Sequence, residues 1–267
     1  MSTKYNFRPP STLIAFTILF CTLIASSTKA QTPRFRIPHS NPPVTLNPAN
    51  TDEVIQLFRT LKPTELPAWL HSSLSATPPQ NANDTFARAT WLAQLHIVQD
   101  EPTCDRLKEQ AAPVLKLFGR YNTVRFFVYY DNYPNLQTIA GSYLGISTGL
   151  LRLLKRDTPD NAQLIGLVAH ELARGIQQER FITAWKNEDF QSLKAFELFY
   201  DAVATAALNH LHLPSQQYAL ILQRMIALTS LNSTDRTRHP GLDRRQSLIR
   251  VIGLTHSTIA ELTATFN

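Results

Sequence analysis

Cysteine is almost missing from this chain of 267 residues, which has two, Cys21 and Cys104. Cys21 falls in an N-terminal segment that reads as a removable export signal, so Cys104 is left alone and an internal disulfide framework is excluded. Export is permitted by that count and not supported by it. Phe20 is too bulky for the residue before a lipoprotein cysteine, which argues against lipidation. Glycine is scarce as well, with eight in all and none before Gly119. The apolar run at 13–25 falls short of the roughly 20 residues a membrane-spanning helix needs, so membrane contact is expected only through an uncleaved signal segment. Excess charge is modest: the formal net is +6, and Lys4, Arg8 and Lys29 supply three of those charges with no acid among residues 1–30. The +3 that remains argues against a nucleic-acid surface. No internal repeat is present.

The length is ample for one sizeable core and short for two full domains. Residues 1–30 have the layout of a signal peptide, with Lys4 and Arg8 ahead of the apolar run and Thr28-Lys29-Ala30 as the cleavage site. The expected location is therefore outside the cytoplasm, periplasmic or secreted. Residues 31–50 carry Pro33, Pro38, Pro42, Pro43 and Pro48, which favour extended structure and prevent a continuous helix, as in a tether. Residues 51–112 read as a helical lead-in, with Val54, Leu57, Phe58 and Leu61 on one face. A second face, Leu107, Ala111, Val114, Leu115 and Phe118, runs on toward Gly119 with a kink expected at Pro113. Residues 113–267 form the main domain.

Within that domain 123–130 is rich in β-branched and aromatic residues and reads as a buried strand, followed by a turn at Asp131-Asn132-Tyr133-Pro134. Residues 142–147 predict a second strand leading into a short helix at 150–154. Thr158-Pro159-Asp160 predicts a helix start, with an N-cap, a proline at the first position and an acid near the positive dipole end. That helix buries Leu164, Ile165, Val168, Leu172 and Ile176 and carries His170, Arg174 and Gln177 on another face. Further helices are predicted at about 190–211, 215–231 and 242–262.

The chemistry lies on the helix reading Ala169-His170-Glu171-Leu172-Ala173-Arg174-Gly175. Residues four apart stand above one another on a helix. In His-Glu-x-x-His both imidazoles therefore reach one metal, and the Glu activates a metal-bound water. Here the second imidazole is Arg174, whose guanidinium has donors only and a permanent charge, so it cannot ligate a cation. Glu197 and Asp201, also four apart, can face His170 from the following helix. One carboxylate there could ligate a metal, and the other could fix the His170 ring by accepting its second N–H. Taken alone, such acids are more often a solvated helix face, and a lone helical His is more often a core residue.

Four segments in order change those odds. They are Val168-Ala169-His170-Glu171-Leu172-Ala173-Arg174-Gly175, Phe196-Glu197-Leu198-Phe199-Tyr200-Asp201, the stretch 135–151 opening on Asn135, and His239-Pro240 with Arg245 six residues after the His. Together they resemble the zinc metallopeptidases that include HtpX, the periplasmic protease BepA and the CAAX prenyl endopeptidase, the forty-eighth metallopeptidase family. The resemblance covers roughly residues 114–262. It implies an α+β, mostly helical gluzincin domain with a small β-sheet packed on the active-site helix. It also implies zinc as cofactor, His170 and Glu197 as ligands, Glu171 as general base and His239 steadying the tetrahedral intermediate. Asp201 and Arg245 would support the ligands from behind. Asn135, Ser142, Tyr143 and Leu144 would hold an extended polypeptide, with 142–147 offering its edge by β-augmentation.

The departures from the family pattern are Arg174 at the second ligand position, and Ala140 and Ser142 in place of the proline and second glycine of the upstream turn. A catalytic zinc normally has three protein ligands and a water, and only two of the three are present here. His210 and His212 lie at least nine residues beyond Asp201, about 13 Å along a helix and too far to substitute. Leaving Glu171 and Glu197 together without a cation would cost several kcal/mol or force protonation. Arg174 is therefore expected either to replace the metal electrostatically or to reach solvent and leave the cleft empty. The expectation is a pseudoprotease of the cell envelope that binds extended polypeptides, with hydrolysis lost or weak. The alternatives are an active zinc-dependent endopeptidase with a non-standard ligand set and a non-catalytic envelope scaffold.

Overall fold

A computed structural model describes residues 35–36, 45–46, 64–75, 95–98, 100–139, 142–154, 161–229 and 241–265. The signal segment, the 54–61 face, Thr158-Pro159-Asp160 and His239-Pro240 lie outside the described residues. In the proline-rich stretch, β1 (Phe35–Arg36) and β2 (Thr45–Leu46) pair antiparallel with each other. The chain is α+β and mostly helical, with a four-stranded mixed sheet beside the helices. Among the described residues no helix is long and apolar enough to cross a membrane.

The elements in order are α1 (Leu66–Ser75), β3 (Ile97–Val98), α2 (Glu101–Gln110), α3 (Ala112–Leu117), β4 (Arg125–Tyr129), β5 (Leu136–Ile139), β6 (Tyr143–Ser147), α4 (Thr148–Leu154), α5 (Ala162–Arg174), α6 (Gln178–Lys186), α7 (Phe190–His210), α8 (Ser215–Thr229) and α9 (Leu242–Thr265). A single 3-10 turn, Gly175–Gln177, joins α5 to α6. Asp100 caps α2 by accepting from Thr103 N–H, and Asp189 caps α7 by accepting from Ser192 N–H, contacts worth about 1 kcal/mol each. Pro113 acts as expected. Its ring cannot continue the α2 ladder, so the helix breaks at Ala111 and restarts as α3.

The sheet order is β3-β4-β6-β5, with β4 and β6 parallel and the other pairs antiparallel. Two of its strands were not predicted as such: β3 sits in the stretch read as helical, and β5 lies between the predicted turn at 131–134 and the predicted strand at 142–147. α1 supplies Leu66, Trp69, Leu70 and Leu74 to the same core as α5 and α7, so part of the lead-in packs with the main domain.

α5 departs most from its expected form. Asn161, in the left-handed region at φ 55, precedes the described helix, which begins at Ala162. It is buried on every side from Ala162 to Ala173, where one apolar face was expected. The small residues Ala162, Gly166, Ala169 and Ala173 make the second face close-packed. A Cβ at Gly166 would lie 2.7 Å from Tyr218 Cδ2, so only glycine lets α8 come this near. This close approach, one turn before His170, brings the Tyr218 hydroxyl within 2.9 Å of His170 Nδ1.

Candidate functional site

α7 and α8 meet α5 at His170, α9 joins them through Asp201, and β5 meets α5 at Glu171. From α7, one turn apart, Glu197 and Asp201 face the α5 helix, and both are buried. Asp201 lies 3.0 Å from His170 Nδ1, as the spacing of the two acids suggested. Tyr218 Oη donates to Asp201 Oδ1 at 2.6 Å and sits 2.9 Å from His170 Nδ1. Arg245, from α9, clamps the same carboxylate with Nε to Oδ2 at 2.6 Å and Nη2 to Oδ1 at 2.7 Å. The phenol hydrogen is spent on Asp201, and an ionised carboxylate only accepts, so Nδ1 carries the donor hydrogen. The second nitrogen, Nε2, then points at Glu197 Oε2, 3.4 Å away.

The electrostatics follow from this packing. Burial alone would raise the Asp201 carboxyl, but Arg245 and His170 outweigh it and hold the group below the usual carboxylate range. Burial works against a charged His170, yet Asp201 and Glu197 outweigh it and raise the imidazole above its ordinary value. Burial also raises Glu171, and there Arg174 and His170 do not fully offset it. Asp201 and Glu171 are thus both buried and are shifted in opposite directions.

Arg174 sits between the two glutamates. Its Nη2 donates to Glu197 Oε1 at 3.1 Å, and Nη1 is 3.4 Å from Glu171 Oε2. The side chain keeps 27% exposure, but it does not leave the cleft for solvent. Its Cζ lies 5.9 Å from the centre of the Phe181 ring on α6. Glu171 Oε2 also accepts the backbone N–H of Thr138, on β5, at 3.0 Å. Arg174 Nε, Tyr200 Oη and Thr138 Oγ1 are buried without a hydrogen-bond partner.

The residues fit a zinc ion only in part. Two donors on a tetrahedral zinc, at bonds of about 2.0–2.2 Å, stand roughly 3.3–3.5 Å apart, and His170 Nε2 and Glu197 Oε2 have that spacing at 3.4 Å. The third corner holds a guanidinium, which has no lone pair and repels a cation. Among the described residues no group of three or more His, Cys, Asp or Glu is placed to hold a metal. The described donors thus supply two of the three protein ligands that a catalytic zinc normally takes.

The structure brings together His170, Glu171, Arg174, Glu197, Asp201 and Arg245. His239 lies outside the described residues. The substrate-strand residues need a correction. Tyr143–Ser147 pairs on both sides, with β4 and with β5, so it is an inner strand and offers no edge. Leu144 is fully buried in the core, and the Ser142 carbonyl accepts Arg125 N–H. Among the described residues the unpaired edge near α5 belongs to β5, and Asn135 anchors its start: its N–H donates to Ser147 Oγ and its carbonyl accepts Ser147 N–H. Tyr218 and Thr138 are site residues that sequence reasoning missed. Gly166, one turn before His170, was the available sign that a large ring packs there. No protein-family profile matches the chain, and no curated protein matches it.

Proposed function

We propose that this chain is a gluzincin-like pseudopeptidase of the cell envelope, which holds extended polypeptides at a sheet edge without hydrolysing them. The observation that carries this reading is the Arg174 guanidinium, 3.1 Å from Glu197 and 3.4 Å from Glu171. Its one fixed charge and forked donors take the place a dication would hold between these carboxylates, and they bring no Lewis acid. Glu171 is then a carboxylate with no activated water to deprotonate. Peptide binding needs only backbone groups on the β5 edge and no metal.

A second reading, an active zinc endopeptidase, is favoured by the zinc-like spacing of His170 Nε2 and Glu197 Oε2. One experiment separates the two. Fluorescein-labelled, reduced and carboxymethylated casein is added to the purified protein, with and without a chelator, and both binding and cleavage are followed. The pseudopeptidase binds casein, leaves it intact and ignores the chelator. Chelator-sensitive cleavage would establish the endopeptidase, and no binding at all would favour the envelope scaffold.

A further inference from the structure

The β5 edge carries a built-in obstruction. Ser147 N–H donates to the Asn135 carbonyl at 3.0 Å, which sets the alternation of the antiparallel ladder. Asn135, Gln137 and Ile139 therefore turn their backbone groups toward β6, and Leu136 and Thr138 turn theirs to the open side. Among the described residues no strand pairs on that side. Of the two outward donors, Thr138 N–H is already taken by Glu171 Oε2. A backbone N–H is an obligatory donor, and here it is met by a buried carboxylate, a group that is itself costly to keep. Covering strand edges with a charged side chain is a known way to prevent unwanted pairing.

We infer that Glu171 is an intramolecular plug: its carboxylate occupies the backbone donor that the carbonyl of an incoming extended polypeptide would take. This rests on the peptide-binding reading above and adds its regulation. With Glu171 in place, an added strand finds a full donor and acceptor pair only at Leu136. With Glu171 displaced it finds pairs at both Leu136 and Thr138, which lengthens the register by one backbone hydrogen bond. The residue that sequence motifs assign to catalysis becomes the gate of the groove.

Fluorescence anisotropy with the same labelled casein tests the plug on the full chain. Glu171→Ala is expected to bind roughly threefold to tenfold more tightly than the unaltered protein, the scale of one net hydrogen bond, with Glu171→Gln in between. Thr138→Pro removes the donor at an outward edge position, where proline is tolerated. The double variant Glu171→Ala with Thr138→Pro is therefore expected to gain nothing over Thr138→Pro alone. Equal or weaker binding by folded Glu171→Ala overturns the plug, as does a gain that persists in the double variant. If Glu171→Ala does not fold, Glu171→Gln decides by the same comparison. Casein bound by every variant with unchanged affinity defeats the plug alone, whereas casein bound by none defeats both it and the peptide-binding reading.

Discussion

Asp201, on the imidazole side of the site, accepts from Arg245 Nε at 2.6 Å, Arg245 Nη2 at 2.7 Å, Tyr218 Oη at 2.6 Å and His170 Nδ1 at 3.0 Å. Glu171, on the arginine side, has one backbone N–H at 3.0 Å and a guanidinium nitrogen at 3.4 Å. The first carboxylate is saturated and held in its charged form. The second is raised by burial that its neighbours do not cancel. The partnerless atoms Arg174 Nε and Thr138 Oγ1 lie on this second side, as does the phenol of Tyr200, which feels Arg174 and both glutamates. The contacts that fix the His170 ring are thus complete, whereas the two glutamates share one guanidinium. A planar fork cannot satisfy every oxygen of the two glutamates around it.

Breaking the imidazole side should have the largest effect. Arg245→Ala leaves Asp201 buried and short of two donors, and should cost about 3–5 kcal/mol in chemical denaturation. Arg174→Met removes the cation on the other side, a side chain that itself keeps 27% exposure and holds its glutamates at 3.1 and 3.4 Å. Its expected cost is about 1–3 kcal/mol, smaller than that of a fully buried pair. A cost for Arg174→Met equal to that of Arg245→Ala would erase the difference between the two sides.

The smallest effect is in pH dependence. Asp201 is lowered, so its contribution to stability is present above its unfolded value near 3.8 and is lost as pH falls through the folded value. His170 is raised, so its contribution is fully present below 6.5 and is lost as pH rises through the folded value. Unfolding free energy measured across pH should therefore decline at both ends. In His170→Gln the alkaline decline should shrink and the acid one remain. An unchanged alkaline limb would show that His170 gains no proton affinity from Asp201 and Glu197.

The long helices and the pairing of His170 with Glu197 and Asp201 were legible because helical spacing fixes which residues share a face. α7 ends at His210, one residue from its expected end at Leu211. The sheet edge was misread for a physical reason. β5 is four residues of mixed polarity, Leu-Gln-Thr-Ile, with too little alternation to announce itself, so β6 was taken for the edge. α6 was not predicted: the helix of His170 was followed as far as Gln177, where the chain passes through one 3-10 turn and continues as helix. Tyr218 looks like an ordinary core aromatic on α8, and nothing local to it reveals that its hydroxyl reaches Asp201.

The most direct test of the account is the metal content of the purified protein after incubation with zinc and removal of the excess, compared with that of Arg174→His. The account predicts no stoichiometric zinc in the unaltered chain. It predicts one equivalent once an imidazole joins His170 Nε2 and Glu197 Oε2, which already stand 3.4 Å apart. One tightly held zinc per unaltered chain would contradict it, because the guanidinium of Arg174 could not then occupy the corner between Glu171 and Glu197.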